Sequence, residues 1–216
     1  MENSGREWIA DAREQVCRQC GRQFRSLAKH WGRSAECTSR ELSDHQHEIV
    51  RGLILGDGSL GGRETANLRV ASVRRVHVEW LHDELGWLSR GITRFEHADT
   101  ERWVYRLATM AHADLGRYVA WQEAPPKAGW ELSRPVARVW YACDGSLSWS
   151  GRETSIPQVS FAAGDDRKCA ALVAALERAG FEAHGWKRRL GLATGDVGAW
   201  FAWLGDPPPG SEHKWP

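Results

Sequence analysis

The feature that most constrains the fold of this chain is a pattern that occurs twice. The segment HEIVRGLILGDGSLGGRET at 47–65 corresponds to PVARVWYACDGSLSWSGRET at 135–154. In each segment an apolar run ends in Asp-Gly-Ser-Leu, and Gly-Arg-Glu-Thr follows a little later. The two aspartates, Asp57 and Asp144, lie 87 positions apart. An internal duplication of about 85 residues explains this repetition most simply.

Hydrophobic periodicity predicts the same order of elements, α-β-β-α-β-β-α, in a first repeat at 44–130 and a second at 131–216. We therefore expect an α+β fold of two pseudo-symmetric repeats, in which antiparallel sheets carry helices on one face and leave the other face free. The first repeat should contain a helix ending at 57–58, a strand at 67–73, a helix at 76–88, a hairpin of strands at 92–97 and 103–108, and a helix at 113–121. The second should contain a helix at 135–143, strands near 146–149 and 156–162, a helix at 166–179, strands at 181–187 and 189–194, and a helix at 196–204.

The free sheet faces are candidates for nucleic-acid binding. Alternation places Arg69 opposite Leu68 and Val70, and it places Gln158 opposite Val159. Basic and hydrogen-bonding side chains on a twisted sheet can lie in the major groove, where Arg reads guanine and Gln reads adenine. An ordinary solvated sheet face is the alternative, because the excess of positive charge on the strands is modest. The candidate DNA-binding residues are Arg69, Arg94, Arg106, Gln158, His184, Arg188 and Arg189.

A separate module at 16–43 carries a set of metal ligands. Three of the five cysteines and one histidine occur at the spacing C-x2-C-x9-H-x6-C, which fits a tetrahedral zinc site. A unit this short cannot stabilise itself by burial alone, so the metal must supply much of its folding energy. We predict that residues 1–15 before the module are flexible. Residues 16–40 of the module have six Lys or Arg residues against one acid, which suits nucleic acid, although some fingers contact only proteins. The predicted ligands are Cys17, Cys20, His30 and Cys37.

Around the two Asp-Gly motifs the sequence resembles the LAGLIDADG homing endonuclease family. The motif matches as VRGLILGDG at 50–58 and more loosely as ARVWYACDG at 137–145, and the closing EHKWP at 212–216 is similar to single-chain members. The resemblance extends over 44–216. It implies a monomeric, site-specific endonuclease that hydrolyses phosphodiester bonds in both strands of a long DNA site. Such an enzyme cuts across the minor groove and leaves short 3′ overhangs.

The resemblance also implies an active site at the ends of two helices that pack side by side. Asp57 and Asp144 would lie together beneath the scissile phosphates, where close carboxylates repel unless divalent cations separate them. A cluster of hard oxygen ligands favours Mg²⁺. An aspartate before glycine is otherwise a common residue of a helix C-terminal turn. The implied magnesium ligands are Asp57, Asp144 and the backbone carbonyls of Gly56 and Cys143, and the implied basic residues near the catalytic water are Lys127 and Lys214.

Composition excludes several other classes of protein. Among 216 residues, 42% are hydrophobic and 26% are charged, as in a globular chain. No apolar run is long enough for a membrane helix, and the N-terminus is too polar for a signal peptide, so we expect an intracellular, cytoplasmic protein without a membrane partner. The net charge of +1 indicates that specific contacts to double-stranded DNA matter more than bulk attraction. We assign no function to the thirteen tryptophans.

Two alternative functions remain open at this stage. The chain could be a catalytically silent relative, either an intron maturase that binds RNA or a DNA-binding regulator. It could also be a zinc-finger adaptor whose C-terminal body only scaffolds. Retention of both aspartates argues against the regulator, because a protein that only binds DNA has no need of two buried acids.

Overall fold

The computed structural model divides the chain into two compact units. One unit comprises Met1–Val50 and Gly58–Val119, and the other comprises Arg51–Asp57 and Ala120–Pro216. Within the described part of the chain, no helix combines the length and apolar character needed to span a bilayer. The structure describes residues 7–11, 15–17, 19–31, 33–34, 36–37, 40–97, 102–123, 129–151 and 155–216.

The first unit contains the cysteine module and the first sheet. Helix α2 begins in this unit and supplies its last residues to the second. The elements are β1 (Glu7–Asp11), β2 (Gln15–Val16), β3 (Gln23–Phe24), α1 (Leu27–Trp31), α2 (Asp44–Leu55), β4 (Ser59–Gly62), β5 (Ala66–Ser72), α3 (Arg75–Leu85), a 3-10 turn (Gly86–Leu88), β6 (Ser89–His97), β7 (Arg102–Thr109) and α4 (Ala113–Gly116).

The second unit repeats this arrangement without a cysteine module. Its elements are α5 (Ala120–Glu123), α6 (Arg134–Asp144), β8 (Gly145–Ser150), β9 (Ile156–Ala162), α7 (Asp166–Arg178), β10 (Ala183–Trp186), β11 (Arg189–Leu192), a 3-10 turn (Thr194–Asp196), α8 (Val197–Leu204) and a last 3-10 turn (Glu212–Lys214).

The strand order confirms the duplicated α+β fold. The first sheet has the antiparallel order β1-β6-β7-β5-β4, and the second has the order β10-β11-β9-β8. If β1 is set aside, corresponding strands of the two repeats occupy corresponding places. The expected alternation is also confirmed, because Leu68 and Val159 are buried whereas Arg69 and Gln158 are exposed.

Two sequence-based expectations differ from the structure. Residues 1–15 were expected to be flexible, and this is wrong for Glu7–Asp11, which pair antiparallel with β6 and add a fifth strand to the first sheet. The helix expected at 113–121 is interrupted after Gly116 and resumes at Ala120. Gly116 lies so close to the chain that a Cβ there would come within 2.3 Å of the Glu64 carbonyl oxygen. This contact holds α4 against the loop before β5.

Candidate functional site

The two motif helices approach each other closely where α2 carries glycines. A Cβ added to Gly52 would lie 2.5 Å from Val139 Cβ and 2.8 Å from the Val136 carbonyl oxygen. A Cβ added to Gly56 would lie 2.5 Å from Cys143 Cβ. These separations are too short for real atoms, so α6 fills the space that the missing side chains leave. The expected side-by-side packing of the two motif helices is confirmed, and Cys143 is one of its contact residues.

We expect the Gly52→Ala and Gly56→Ala variants to lower the free energy of unfolding by about 2 kcal/mol or more, because the added methyl must push the helices apart. Urea unfolding followed by circular dichroism would measure the change. The matched control is Gly198→Ala in α8, where a Cβ meets no atom within 4 Å and removal of an exposed helical glycine should stabilise slightly. Equal unfolding free energies for Gly52→Ala and the native protein would contradict the packing argument.

This packing brings the two motif aspartates together. Asp57 lies in the turn after α2, and Asp144 is the last residue of α6. Burial first, and then the charge of the Asp57 carboxylate and a side-chain hydrogen bond to it, raise the pKa of Asp144 to about 7. A pair of mutually repelling carboxylates is costly to a fold unless a cation relieves it. The arrangement is therefore a candidate metal site.

Lys214 reaches the same place from the C-terminal segment. Its Nζ donates to the carbonyl oxygens of Ala142 at 2.8 Å and Cys143 at 2.6 Å, and thus caps the C-terminal end of α6. The Tyr141 hydroxyl donates to the Lys214 carbonyl at 2.8 Å and fixes this segment. The Trp215 ring packs edge-on against the Tyr141 ring. The positive charge of Lys214 lowers the pKa of Asp144 and so opposes the effect of burial.

A second lysine beside Asp144 was missed by the sequence analysis. Lys168 lies in the first turn of α7, where the Asp165 side chain accepts a hydrogen bond from the Lys168 backbone N–H at 2.7 Å. Desolvation lowers the pKa of the Lys168 ammonium, and Asp144 and Asp165 oppose that change. A cation near a helix N-terminus is unfavourable because it meets the positive end of the dipole. A lysine in the first turn of a predicted helix was therefore the feature of the sequence that could have drawn attention to Lys168.

The raised pKa of Asp144 predicts a pH dependence of stability. Native Asp144 holds its proton up to about pH 7, whereas the unfolded carboxyl loses it near its ordinary pKa of 3.8, so the native state binds more protons in this window. The free energy of unfolding should therefore fall as pH rises from about 4 to 7, by at most about 1.4 kcal/mol per pH unit. Without added divalent cations, the slope measured by urea unfolding should be smaller in Asp144→Asn. Identical slopes would contradict this reasoning.

The predicted metal ligands of the cysteine module also converge. Their ligand atoms all lie within 4.8 Å of one another, and Cys20 Sγ lies 3.6 Å from His30 Nε2. The Phe24 ring stacks on the His30 ring at 3.8 Å between centroids, which fixes the imidazole. The Cys20 backbone N–H holds the pKa of the Cys17 thiol down to about 6, so Cys17 is ready to bind as a thiolate. The four converging residues are Cys17, Cys20, His30 and Cys37.

The cysteine module is packed into the first unit. Two of its cysteines share a buried cluster with Met110, and its Trp31 ring contacts the Trp87 ring edge-on at 5.6 Å. The Arg40 guanidinium lies over the Trp87 ring, 5.4 Å from its centroid, and the Arg40 carbonyl oxygen accepts a hydrogen bond from His112 Nε2 at 2.9 Å. A metal bound in the module would therefore stabilise part of the first repeat as well as the module.

Strand register decides which candidate DNA-binding residues share a face. In the first sheet, Arg69 and Arg106 project from the face opposite to the buried Leu107. Arg94 pairs with Tyr105 on the same face as Leu107, and its guanidinium lies 4.6 Å from the Trp103 ring centroid. Arg94 therefore does not share a face with Arg69 and Arg106. It lies two residues after the buried Ile92, and side chains two residues apart in a strand share a face.

In the second sheet three of the candidate residues share one face. Gln158, His184 and Arg189 all project from the free face, opposite Val159, Phe161 and Leu190. Arg188 is exposed in the turn that joins β10 to β11. The predicted catalytic residue Lys127 lies outside the described residues.

Comparisons with known proteins support this fold. No protein-family model matches the chain, and no curated protein sequence matches it. Among solved structures, the homing endonuclease I-WcaI bound to its DNA recognition sequence aligns with a TM-score of 0.66 at 14% identity, over 82% of this chain and 86% of that one. I-DmoI in complex with DNA and Ca aligns at 0.44 and 15% identity, over 72% and 88%. Meganuclease I-SmaMI bound to uncleavable DNA aligns at 0.45 and 11% identity, over 77% and 84%. The I-WcaI match shows that this chain has the homing endonuclease fold.

Proposed function

We propose that this chain with the homing endonuclease fold is a site-specific double-strand DNA endonuclease of the LAGLIDADG type. The observation that carries the proposal is the pair of carboxylates, Asp57 and Asp144, at the ends of two helices packed through Gly52 and Gly56. A protein that only binds DNA gains nothing from two mutually repelling acids in this position. A phosphodiester hydrolase needs such a pair to hold metal ions.

The residues present fit a divalent cation. The raised pKa of Asp144 reflects burial and the charge of Asp57, and a bound cation would relieve both. Carboxylate and carbonyl oxygens are hard ligands that suit Mg²⁺. The proposed ligands are the two carboxylates with the backbone carbonyls of Gly56 and Cys143; the latter carbonyl also accepts the hydrogen bond from Lys214. When bound, magnesium would polarise the phosphate and stabilise the leaving oxygen.

The lysines of the second repeat would act on the phosphate and the water beside this site. Lys214 is held at the end of α6 by two carbonyl oxygens, so its charge is fixed beside the carboxylates. A fixed charge at the reacting phosphate stabilises the transition state without reorganisation. Desolvation lowers the pKa of Lys168, which favours release of a proton from its Nζ. Lys127 is proposed for the equivalent place in the first repeat.

Double-stranded DNA is the proposed substrate for the free sheet faces. The proposed contacts are Arg69, Arg106, Gln158, His184, Arg188 and Arg189, which combine positive charge with hydrogen-bonding groups. A monomer is sufficient for this activity because one chain carries both aspartates. Zinc is the proposed ion of the cysteine module, since three thiolates and an imidazole form a tetrahedral donor set that this metal prefers.

The experiment that tests the proposed function is cleavage of a randomised duplex library together with genomic fragments. New ends would be mapped by sequencing after incubation with Mg²⁺ and, in parallel, with EDTA added only at the time of assay. We expect discrete, magnesium-dependent ends with a fixed short stagger. Binding without any cuts would overturn the nuclease and favour a silent maturase or regulator. Absence of both binding and cuts would favour the adaptor.

A further inference from the structure

The hairpin of β10 and β11 displays a tryptophan on the free face of the second sheet. Trp186 pairs with Arg189 in register and projects from the same face as His184. Its ring stacks on the His184 ring, with centroids 5.3 Å apart and planes at 22°. The ring also lies over Gly191, where a Cβ would come within 3.0 Å of its Cη2 and Cζ3 atoms. His184 and Gly191 thus restrict the orientation of the ring, although 42% of Trp186 is exposed to solvent.

The turn beyond Trp186 is strained and positively charged. Lys187 and Arg188 have φ of 42° and 63°, and in the described part of the chain they are the two non-glycine residues with positive φ. A two-residue hairpin turn of this kind is most relaxed with Asn-Gly. The chain instead holds two long cations there, and neither side chain makes a hydrogen bond or an ion pair with another described residue. No acid occurs from 183 to 192, so the exposed tip carries three positive charges, Arg189 included.

An exposed indole with a fixed orientation, next to several cations, suits a partner that carries anionic groups on its surface and single apolar groups in a groove between them. The duplex DNA major groove has this character. Phosphates line its edges, and the thymine 5-methyl is the apolar group that specific proteins contact there. A ring fixed by His184 and Gly191 loses little entropy when it contacts such a group. Cations at the tip would then contact phosphates, which position a protein without reading sequence.

We propose that Trp186 determines specificity by contacting the 5-methyl group of one thymine, while Lys187 and Arg188 bind the flanking phosphates. This inference rests on the proposed function, because it assigns part of the same DNA interface. It adds a residue and a base to a face on which sequence alone indicated only hydrogen-bonding contacts.

The test uses the full chain and its own selected target. A duplex pool with a randomised centre is selected on the native protein, and each thymine of the winning site is then replaced by deoxyuridine, which removes only the methyl group. We expect one replacement to weaken native binding about 4-fold. Trp186→Ala should bind the full target at least about 10-fold more weakly and should be insensitive to that replacement, whereas Trp186→Phe should retain part of the sensitivity.

The matched control is Trp149→Ala. Trp149 is 57% exposed on the same sheet, but its register with Pro157 places it on the opposite face. It should therefore keep native affinity and the native response to deoxyuridine. If the native protein selects and cuts a site but no deoxyuridine position couples to Trp186, the inference fails and the proposed function stands. If the native protein selects no duplex, both fail.

A second variant tests the strained tip by itself. Lys187→Asn combined with Arg188→Gly places the relaxed turn sequence at 187–188. We expect a higher thermal midpoint, together with weaker binding to all sequences and a shallower dependence of affinity on salt. A higher midpoint with unchanged affinity and salt dependence would remove the phosphate contacts from the proposal. If the double variant instead lost affinity only for targets with one particular base pair, the tip would contact a base rather than phosphates.

Discussion

Replacement of either Asp57 or Asp144 by asparagine is expected to abolish double-strand cleavage while leaving binding to the selected site nearly unchanged. An amide has nearly the size of the carboxylate but carries no charge, so it cannot hold a divalent cation against the phosphate. We expect double-strand cleavage to slow at least about 1,000-fold. Both variants should bind the selected site with the affinity of the native protein, because neither aspartate lies on the free sheet faces.

Conversion of a supercoiled plasmid that carries the selected site would measure this loss, and gel shift would measure binding. Nicked circles from a single variant are compatible with the proposal, because each aspartate could serve one strand. The matched control is Asp206→Asn, since Asp206 is exposed and contributes its backbone carbonyl to Arg138. If Asp57→Asn or Asp144→Asn formed linear plasmid at the native rate, the two-aspartate mechanism would be contradicted.

Loss of the metal from the cysteine module should destabilise more than the module itself. In the Cys17→Ser/Cys20→Ser variant two thiolates are lost, and the remaining ligands cannot hold the ion. Because Cys17 and Cys37 share their buried cluster with Met110, and Trp31 packs on Trp87, loosening the module exposes the surface of the first unit beneath it. We expect the thermal midpoint to drop by more than about 10 °C.

Elemental analysis should find about one zinc per native chain and none in this double variant. The control is Cys169→Ala, which removes a buried cysteine of the second unit that donates to the Arg189 carbonyl and should leave the zinc content unchanged. Purified native protein with no metal and an intact thermal transition would contradict the metal assignment. A Cys17→Ser/Cys20→Ser variant with the thermal midpoint of the native protein would also contradict it.

Local periodicity was sufficient to predict the duplicated elements, whereas the side-by-side packing of the two motif helices was an expectation from the resemblance to the LAGLIDADG family. Long-range contacts were not visible. Lys168 comes near Asp144 only when α7 packs on its sheet, and β1 becomes a strand only because β6 offers it an open edge. The face of Arg94, by contrast, could be predicted, because it lies two residues after Ile92 in the predicted strand 92–97 and side chains two residues apart share a face.

The close packing of α2 on α6 also constrains which substitutions the two motif helices can accept. Gly52 and Gly56 leave space on α2 that the side chains of Val139 and Cys143 on α6 occupy. A larger residue on either helix would therefore require a smaller residue opposite it, so the two positions of each contact must change together. The two motifs repeat the same elements, yet their contact residues differ in size and are not interchangeable.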